Sequence, residues 1–325
     1  MSISPHSRFC CKPATKVLCA ALAAYSVLAL SACSPQTAQQ AATTQYQCGA
    51  MDVTTNLDGQ NLTLSFGSQK FELEKTESTS GERYVNANLG AEFWHKGNEA
   101  QFSTDKFALP LCIEQGTLPQ QLSARGNEPF WLLSITSDAA TLRTPGAERR
   151  LSLANRATFN DAPPYQYELS FDAGAQLTLS EGVCYDTMSG QSFPYSAEFS
   201  DGAEDWTGCA GDPQRLLTGV SWKDSSATEN VATMTFAPET RVSGFAGCNY
   251  FTGNYTITGE GIDFSSFAMT KRMCPPEQMD YEDRLMQQLT QVTNFKVFAD
   301  GTLRLQLRNG DYLSFTRHPF DLFAD

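Results

Sequence analysis

Asn61-Leu62-Thr63-Leu64-Ser65-Phe66 alternates apolar and polar side chains with a period of two. That is the repeat of an extended chain with one face toward a core and the other toward water. Phe71-Glu72-Leu73-Glu74 repeats it after a break containing Gly67. The same alternation returns far downstream in Tyr165–Phe171 (YQYELSF) and in Leu303–Leu307 (LRLQL). Asp300-Gly301 and Asn309-Gly310 lie beside such runs, where a tight hairpin needs positive φ. One helix is predicted, over about Pro276 to Val292, with Tyr281, Leu285, Leu289 and Val292 as its apolar stripe. Pro276 followed by Glu277 suits its first turn. The reading is a mainly β chain with a helix near its C-terminal end.

The chain has 325 residues, enough for about two or three domains. Its 36 acids outnumber its 23 bases, for a net charge of −13. A nucleic-acid binder needs a basic face to neutralise phosphates, so that class is excluded. With 41% hydrophobic and only 18% charged residues, the chain is not a self-repelling disordered one. Three His leave little room for metal or general-base chemistry, and one of them, His6, lies in a targeting segment. No haem, nucleotide or metal signature is present, so no cofactor is expected.

Residues 1–16 carry Arg8, Lys12 and Lys16 and no acid, and an apolar run from Val17 to Leu30 follows. The run is too short for a spanning helix, which needs about 20 residues, and suits a signal-peptide core. It ends Leu30-Ser31-Ala32-Cys33, which resembles a bacterial lipobox. The resemblance implies removal of residues 1–32 and lipidation of Cys33. Ser34 in place of Asp implies an outer-membrane anchor facing the periplasm. Residues 33–45 then read as the lipidated Cys and a flexible tether without large apolar side chains before Gln45.

Cys10, Cys11 and Cys19 leave with the signal, so six cysteines remain beyond Cys33: Cys48, Cys112, Cys184, Cys209, Cys248 and Cys274. An even number in an oxidising compartment reads as disulfides, with fifteen pairings open. The sequential pairing 48–112, 184–209, 248–274 is taken here because each couple falls inside one stretch of alternating pattern. A thiolate metal cluster is discounted, because no CxxC spacing occurs. Each bridge would contribute about 3.5–4.3 kcal/mol in a loop-entropy account. With Gly/Pro-rich breaks near 115–119 and 208–213, three domains follow: 46–116, 117–212 and 213–325.

In the first domain, Ser80-Gly81-Glu82-Arg83-Tyr84 and Phe93-Trp94-His95-Lys96-Gly97-Asn98-Glu99-Ala100 lie between Cys48 and Cys112. This SGxxY followed by WxKGxxA resembles the MliC family, lipoprotein inhibitors of C-type lysozyme. The resemblance implies a small antiparallel β-barrel and no enzymatic activity. It also implies a lysozyme-binding site at Ser80, Tyr84, Lys96 and Gly97, with Lys96 and Ser80 entering the enzyme's cleft. The chemistry is coherent. Lysozyme needs one carboxyl protonated and a second ionised. An ammonium beside both lowers the acid's pKa and pairs with the other group, while a hydroxyl adds a hydrogen bond. Tyr84 and Trp94 read as core or rim packing as well, and His95 as pointing to solvent. The stretch between Tyr84 and Trp94 (VNANLGAEF) is a couple of residues longer than the family pattern, which would alter how Ser80 and Lys96 sit. The domain's net charge of −5 suits a cationic partner.

The second domain carries a net −8 and no His, so Ser–His or Cys–His catalysis is unavailable to it. Gly126–Trp131 (GNEPFW) and Cys184–Gly190 (CYDTMSG) resemble an uncharacterised β-rich domain of envelope lipoproteins. Glu128, Asp186 and Ser189 are the candidates if it were an enzyme. The structural reading gives Asp186 and Ser189 a turn beside the disulfide, and Phe130-Trp131 the start of a core strand.

In the third domain, Gly247–Tyr255 (GCNYFTGNY) and Thr270–Cys274 (TKRMC) resemble the META domain of heat-shock-type lipoproteins, an α+β fold. Lys271-Arg272 reads as a solvated pair, with a small anion spot as the alternative. Together these resemblances imply a lipid-anchored inhibitor whose partners are C-type lysozyme and the membrane, with no small-molecule substrate. The alternative is a structural envelope-stress lipoprotein without inhibitor activity.

Overall fold

The computed structural model describes residues 42–158, 162–226 and 231–320. The segment read as a signal peptide, and Cys33 with its lipobox-like motif, lie outside the described residues. Among the described residues, no helix is long and apolar enough to cross a membrane.

The first eight strands are β1 (Ala42–Cys48), β2 (Met51–Asp58), β3 (Asn61–Phe66), β4 (Gln69–Thr76), β5 (Glu82–Asn86), β6 (Ala91–Lys96), β7 (Glu99–Ser103) and β8 (Cys112–Glu114). Each pairs antiparallel with the next, and β8 returns to β1 to close a barrel. In β3 the alternation works as read: Leu62, Leu64 and Phe66 are buried, while Asn61, Thr63 and Ser65 stay outside the core. Burying each such side chain contributes about 1.5–3 kcal/mol. Phe66, Phe71, Phe102 and Phe107 pack against one another at one end of the barrel. At the closure, Cys48 and Cys112 stand directly opposite across β1 and β8 and are bonded. The expected tether is shorter than read. Residues 42–45 belong to β1, paired with β2 as far as Ala42 opposite Leu57. Ladder hydrogen bonds outweigh the weak side-chain pattern there.

A second set follows: β9 (Leu122–Asn127), β10 (Phe130–Ile135), β11 (Ala139–Thr144), β12 (Ala147–Thr158), β13 (Gln166–Phe171), β14 (Gln176–Tyr185), β15 (Ser192–Ser200) and β16 (Asp205–Ala210). These too form a closed antiparallel barrel, with β16 returning to β9. Trp131 on β10 is fully buried and stacks on Phe199, while Phe130 is exposed. Cys184 and Cys209 are bonded.

The last module begins with a single turn, α1 (Gln214–Leu217). Then come β17 (Ser221–Asp224), β18 (Thr233–Phe236), β19 (Arg241–Phe245), β20 (Tyr250–Ile257), β21 (Ile262–Met269), α2 (Pro276–Leu289), β22 (Val292–Val297), β23 (Thr302–Leu307) and β24 (Tyr312–His318). The strands form one eight-stranded sheet in the order β21-β20-β19-β18-β17-β24-β23-β22. Helix α2 buries Leu285 and Leu289 against it. The helix stops at Leu289, three residues before the end read from the apolar stripe; Val292 is buried as the first residue of β22 instead. A buried Val serves either element, so periodicity alone overran the boundary. Cys248 and Cys274 are bonded. The molecule is thus mainly β, with one disulfide in each module.

The modules are joined by specific backbone contacts. Arg215 of α1 donates to the carbonyls of Leu111 (3.1 Å) and Gln47 (3.1 Å), beside the Cys48–Cys112 bridge. Ala50 N–H donates to Thr218 O at 2.8 Å. Between the second barrel and the sheet, Val297 N–H donates to Ser192 Oγ (2.9 Å) and Tyr185 Oη to Val297 O (3.2 Å).

Candidate functional site

Ser80 lies in the loop between β4 and β5, and Lys96 is the last residue of β6. Strands β5 and β6 pair with Glu82 opposite His95, so the chain just before β5 runs beside the end of β6. The approach is close. A Cβ on Gly81 would stand 2.3 Å from the His95 carbonyl oxygen and 3.1 Å from Lys96 Cβ. Gly81 also has φ +66°, in the region that favours glycine. The Ser80-Gly81 turn is therefore fixed by sterics, and it sets Gly81 against Lys96 with Ser80 one residue before. Both are exposed.

Two donors hold the Ser80 carbonyl: Trp94 Nε1 at 2.9 Å and Ser78 Oγ at 2.7 Å. The Ser80 hydroxyl is left free of a hydrogen bond among the described residues. Behind the turn, the Glu82 carboxylate collects Lys75 Nζ (2.6 Å), Tyr84 Oη (2.8 Å) and His95 Nε2 (3.1 Å). Hydrogen bonds from Lys75, then Tyr84 and His95, hold the Glu82 carboxyl well below its usual range, at about 2. Lys70 is matched to Glu72, Lys75 to Glu82 and Arg83 to Glu92. Lys96 has no acid partner among the described residues. An exposed ammonium without an acid partner and a hydroxyl free to donate, carried on neighbouring stretches of chain, are donors suited to carboxylates. An open groove of about 610 Å³, lined in part by Thr76, Glu77, Ser78 and Gly81, borders the turn.

The remaining candidates sort as follows. Gly97 opens the two-residue turn between Lys96 and Glu99, with φ +63° at its first central position, and is exposed. Tyr84 is 0% exposed, so its expected place in a binding surface is corrected to support from below. Burial, reinforced by the Glu82 bond, pushes its hydroxyl up. His95 does not point to solvent as read. Its side chain is 28% exposed and its Nε2 is bound to Glu82, while Nδ1 is buried without a partner among the described residues. It makes no hydrogen bond to the Ser80 hydroxyl, so the three do not form a Ser–His–acid relay. The longer stretch after Tyr84 forms the hairpin turn at 87–90, at the other end of β5 and β6 from Ser80 and Lys96. It does not disturb their placement.

In the second barrel, Asp186 accepts from Ser189 N–H (2.7 Å), Ser189 Oγ (2.9 Å), Met188 N–H (3.0 Å) and Asn127 Nδ2 (2.9 Å). Burial would raise its carboxyl, but these donors outweigh burial and hold it below the usual value. Asp186 and Ser189 are brought together as a turn, and Glu128 is exposed in the turn before β10. In the sheet module, Arg272 is not merely solvated. Its Nη2 donates to Cys248 O (3.1 Å) and its N–H to Asn249 Oδ1 (2.6 Å), while Lys271 is exposed. Among the described residues no group of three or more His, Cys, Asp or Glu is placed to hold a metal.

Sequence reading overlooked Glu82, Trp94 as a donor and the buried Asn249–Glu282 pair. The signal for Glu82 was available: on β5 it faces the same way as the buried Tyr84, two residues on.

Residues 46–108 match the family described as membrane-bound lysozyme-inhibitor of c-type lysozyme, and residues 216–320 match the META domain. No curated protein matches the chain. Among solved structures, the chain is similar to the NMR structure of a protein from Burkholderia xenovorans. Identity is 26%, with 32% of this chain and 85% of that one covered, at a TM-score of 0.26. The crystal structure of BBS1N in complex with ARL6DN is 10% identical, covering 84% and 90% at a TM-score of 0.16. The family matches, together with the Ser80–Lys96 geometry inside the first barrel, give the chain its place: it carries an MliC domain at residues 46–108 and a META domain at residues 216–320.

Proposed function

We propose that this protein binds a C-type lysozyme and blocks its cleft by inserting Lys96 and Ser80 between the two working carboxyls. The observation that carries the reading is the close approach of the Ser80-Gly81 turn to exposed Lys96, which lacks an acid partner among the described residues, at one end of a barrel matched to a lysozyme-inhibitor family. Lysozyme cleavage requires one carboxyl to keep its proton and the other to stay ionised. Lys96 favours ionisation of the first and neutralises the second, so the acid step fails. Ser80 adds a hydrogen bond that orients the pair. No bond is made or broken by the inhibitor. The acidic first domain, net −5, speeds encounter with a cationic enzyme, most at low salt.

The anchor belongs to the same proposal. The lipobox-like Leu30–Cys33 supports a lipid on Cys33 and an outer-membrane anchor, with the modules facing the periplasm, where an invading lysozyme would meet the wall.

The test is a lysis assay with the full chain, a C-type lysozyme and a cell-wall suspension. Dose-dependent protection is expected. Lys96→Ala should weaken it by more than about thirtyfold, the cost of removing one member of a desolvated charge pair. Ser80→Ala should weaken it less. A wild-type chain that leaves lysis unchanged would overturn the reading in favour of a structural envelope lipoprotein.

A further inference from the structure

Nothing so far gives the second barrel a task. Its Asp186 and Ser189 form a turn, while its N-terminal segment contacts the hairpin that carries Lys96. Lys96 and Glu99 form the last pair of β6 and β7, with Gly97-Asn98 as the turn between them. Asn98 Nδ2 donates to Leu118 O (2.6 Å) and Thr117 Oγ1 (3.0 Å). Glu99 Oε1 accepts from Gln120 N–H at 2.7 Å. Both residues that follow Lys96-Gly97 are therefore tied to the segment 117–120, which connects the two barrels.

That segment is in turn held by Leu118, buried in the second barrel's core, and by one polar side chain of that barrel. Arg156, on β12, donates from Nη1 to Pro119 O (3.1 Å) and from Nη2 to Gln120 O (3.4 Å) and Thr136 O (2.8 Å). Thr136 lies in the turn after β10, so the guanidinium pins the connecting segment to the barrel wall. Burial pulls the Arg156 guanidinium below its usual value, and Glu99 opposes that shift. A charge placed in a half-buried joint without its own carboxylate bond costs desolvation, which three carbonyls on one fork offset.

The geometry points to the second barrel as a clamp that pre-orders the inhibitory hairpin, with Arg156 as a positioning residue for Lys96. Rigid presentation of a single ammonium reduces the ordering cost on binding, which is how preorganisation raises affinity. This inference rests on the lysozyme reading above.

The full chain is compared with Arg156→Gln and Asn98→Ala for inhibition of a C-type lysozyme, and for amide hydrogen exchange at Gly97, Asn98 and Glu99. The two variants open the joint from opposite sides, and Asn98→Ala lies on a surface turn outside any core. Each is expected to weaken inhibition about tenfold and to speed exchange in the hairpin, with exchange in the β23 core unchanged. Arg156→Lys should not restore the effect, because an ammonium cannot bridge the same carbonyls as a planar fork. Wild-type inhibition with either variant equal to wild type, or unaltered hairpin exchange, overturns the clamp and leaves the lysozyme reading standing. Absence of inhibition by the wild type overturns both.

Discussion

Trp94 Nε1 donates to the Ser80 carbonyl oxygen across 2.9 Å, joining a residue of β6 to a loop fourteen positions earlier in the chain. The bond falls on the backbone of the residue proposed to enter the cleft, so its side chain stays unencumbered. It also explains the pairing of the two motif halves: SGxxY supplies the turn, and WxKGxxA supplies both the lysine and the indole that holds the turn. Trp94→Phe keeps the ring and removes one donor, a loss of about 0.5–1.5 kcal/mol. Inhibition should weaken by about three- to tenfold, with a melting temperature shifted by no more than a few degrees. A titration against lysozyme beside a thermal melt separates the two effects. Unchanged inhibition would show that Ser80 needs no such tether.

Acid should loosen the same end of the barrel. The Glu82 carboxyl is held at about 2 by Lys75, Tyr84 and His95, below its ordinary 4.5. A carboxyl lowered on folding contributes stability that is present above the unfolded value and lost as pH falls toward the folded one. The window is therefore about pH 4.5 down to 2. The Glu82 side chain is 40% exposed, so solvent screens the contribution and it stays modest. Glu82→Gln should flatten the slope of melting temperature against pH across that window. Parallel slopes for wild type and variant would remove Glu82 from the account.

How far the sequence carried the reading can be judged from single residues. Period-two alternation in 61–66 and 303–307 gives β3 and most of β23, because half-buried strands write their burial directly into side-chain order. The turn at Asn309-Gly310 is equally legible, since Gly310 has φ +92°. Closure of the second barrel is not. It depends on β16 reaching β9 across more than eighty residues, and nothing local encodes that pairing. For the site, Ser80 and Lys96 were legible as a motif; for Tyr84 the core reading holds over the contact implied by the resemblance, because a motif position does not say which face of a strand it occupies. His95 was misjudged for a related reason: its partner, Glu82, lies on the neighbouring strand, and the register joining them is a tertiary fact. The Arg156 joint was invisible, because its acceptors are backbone carbonyls.

The anchor prediction concerns residues outside the described chain. Cys33→Ser in the full chain should abolish incorporation of labelled palmitate and release the protein from the membrane fraction of a bacterial host. Lysozyme inhibition by the released protein should be undiminished, because Cys33 precedes β1 and the end proposed to enter the cleft is built within residues 75–99. Continued labelling of the variant would place the lipid elsewhere or deny it altogether.

The META module offers a stability test independent of lysozyme. Asn249 is buried and satisfied on every side. Its N–H donates to Glu282 Oε2 (2.6 Å), its Nδ2 to Glu282 Oε1 (3.0 Å) and Arg272 O (3.2 Å), and its Oδ1 accepts from Arg272 N–H (2.6 Å) and Thr270 Oγ1 (3.0 Å). These bonds tie the turn at Cys248 to the segment before Cys274 and to helix α2, so one amide organises both ends of the disulfide. Glu282 is also buried, and its carboxylate accepts without donating. Asn249→Ala leaves that carboxylate short of a donor and takes a partner from three further groups, the Arg272 N–H, the Arg272 carbonyl and the Thr270 hydroxyl, a cost of about 2–4 kcal/mol. Glu282→Gln sets an amide N–H₂ against donors of Asn249 and should cost about 1–3 kcal/mol. Because the two residues share bonds, the double variant should lose less than the sum of the single losses. Calorimetry of the three variants measures the shortfall. Strict additivity would mean that Asn249 and Glu282 stabilise the module separately and that the turn does not depend on the helix.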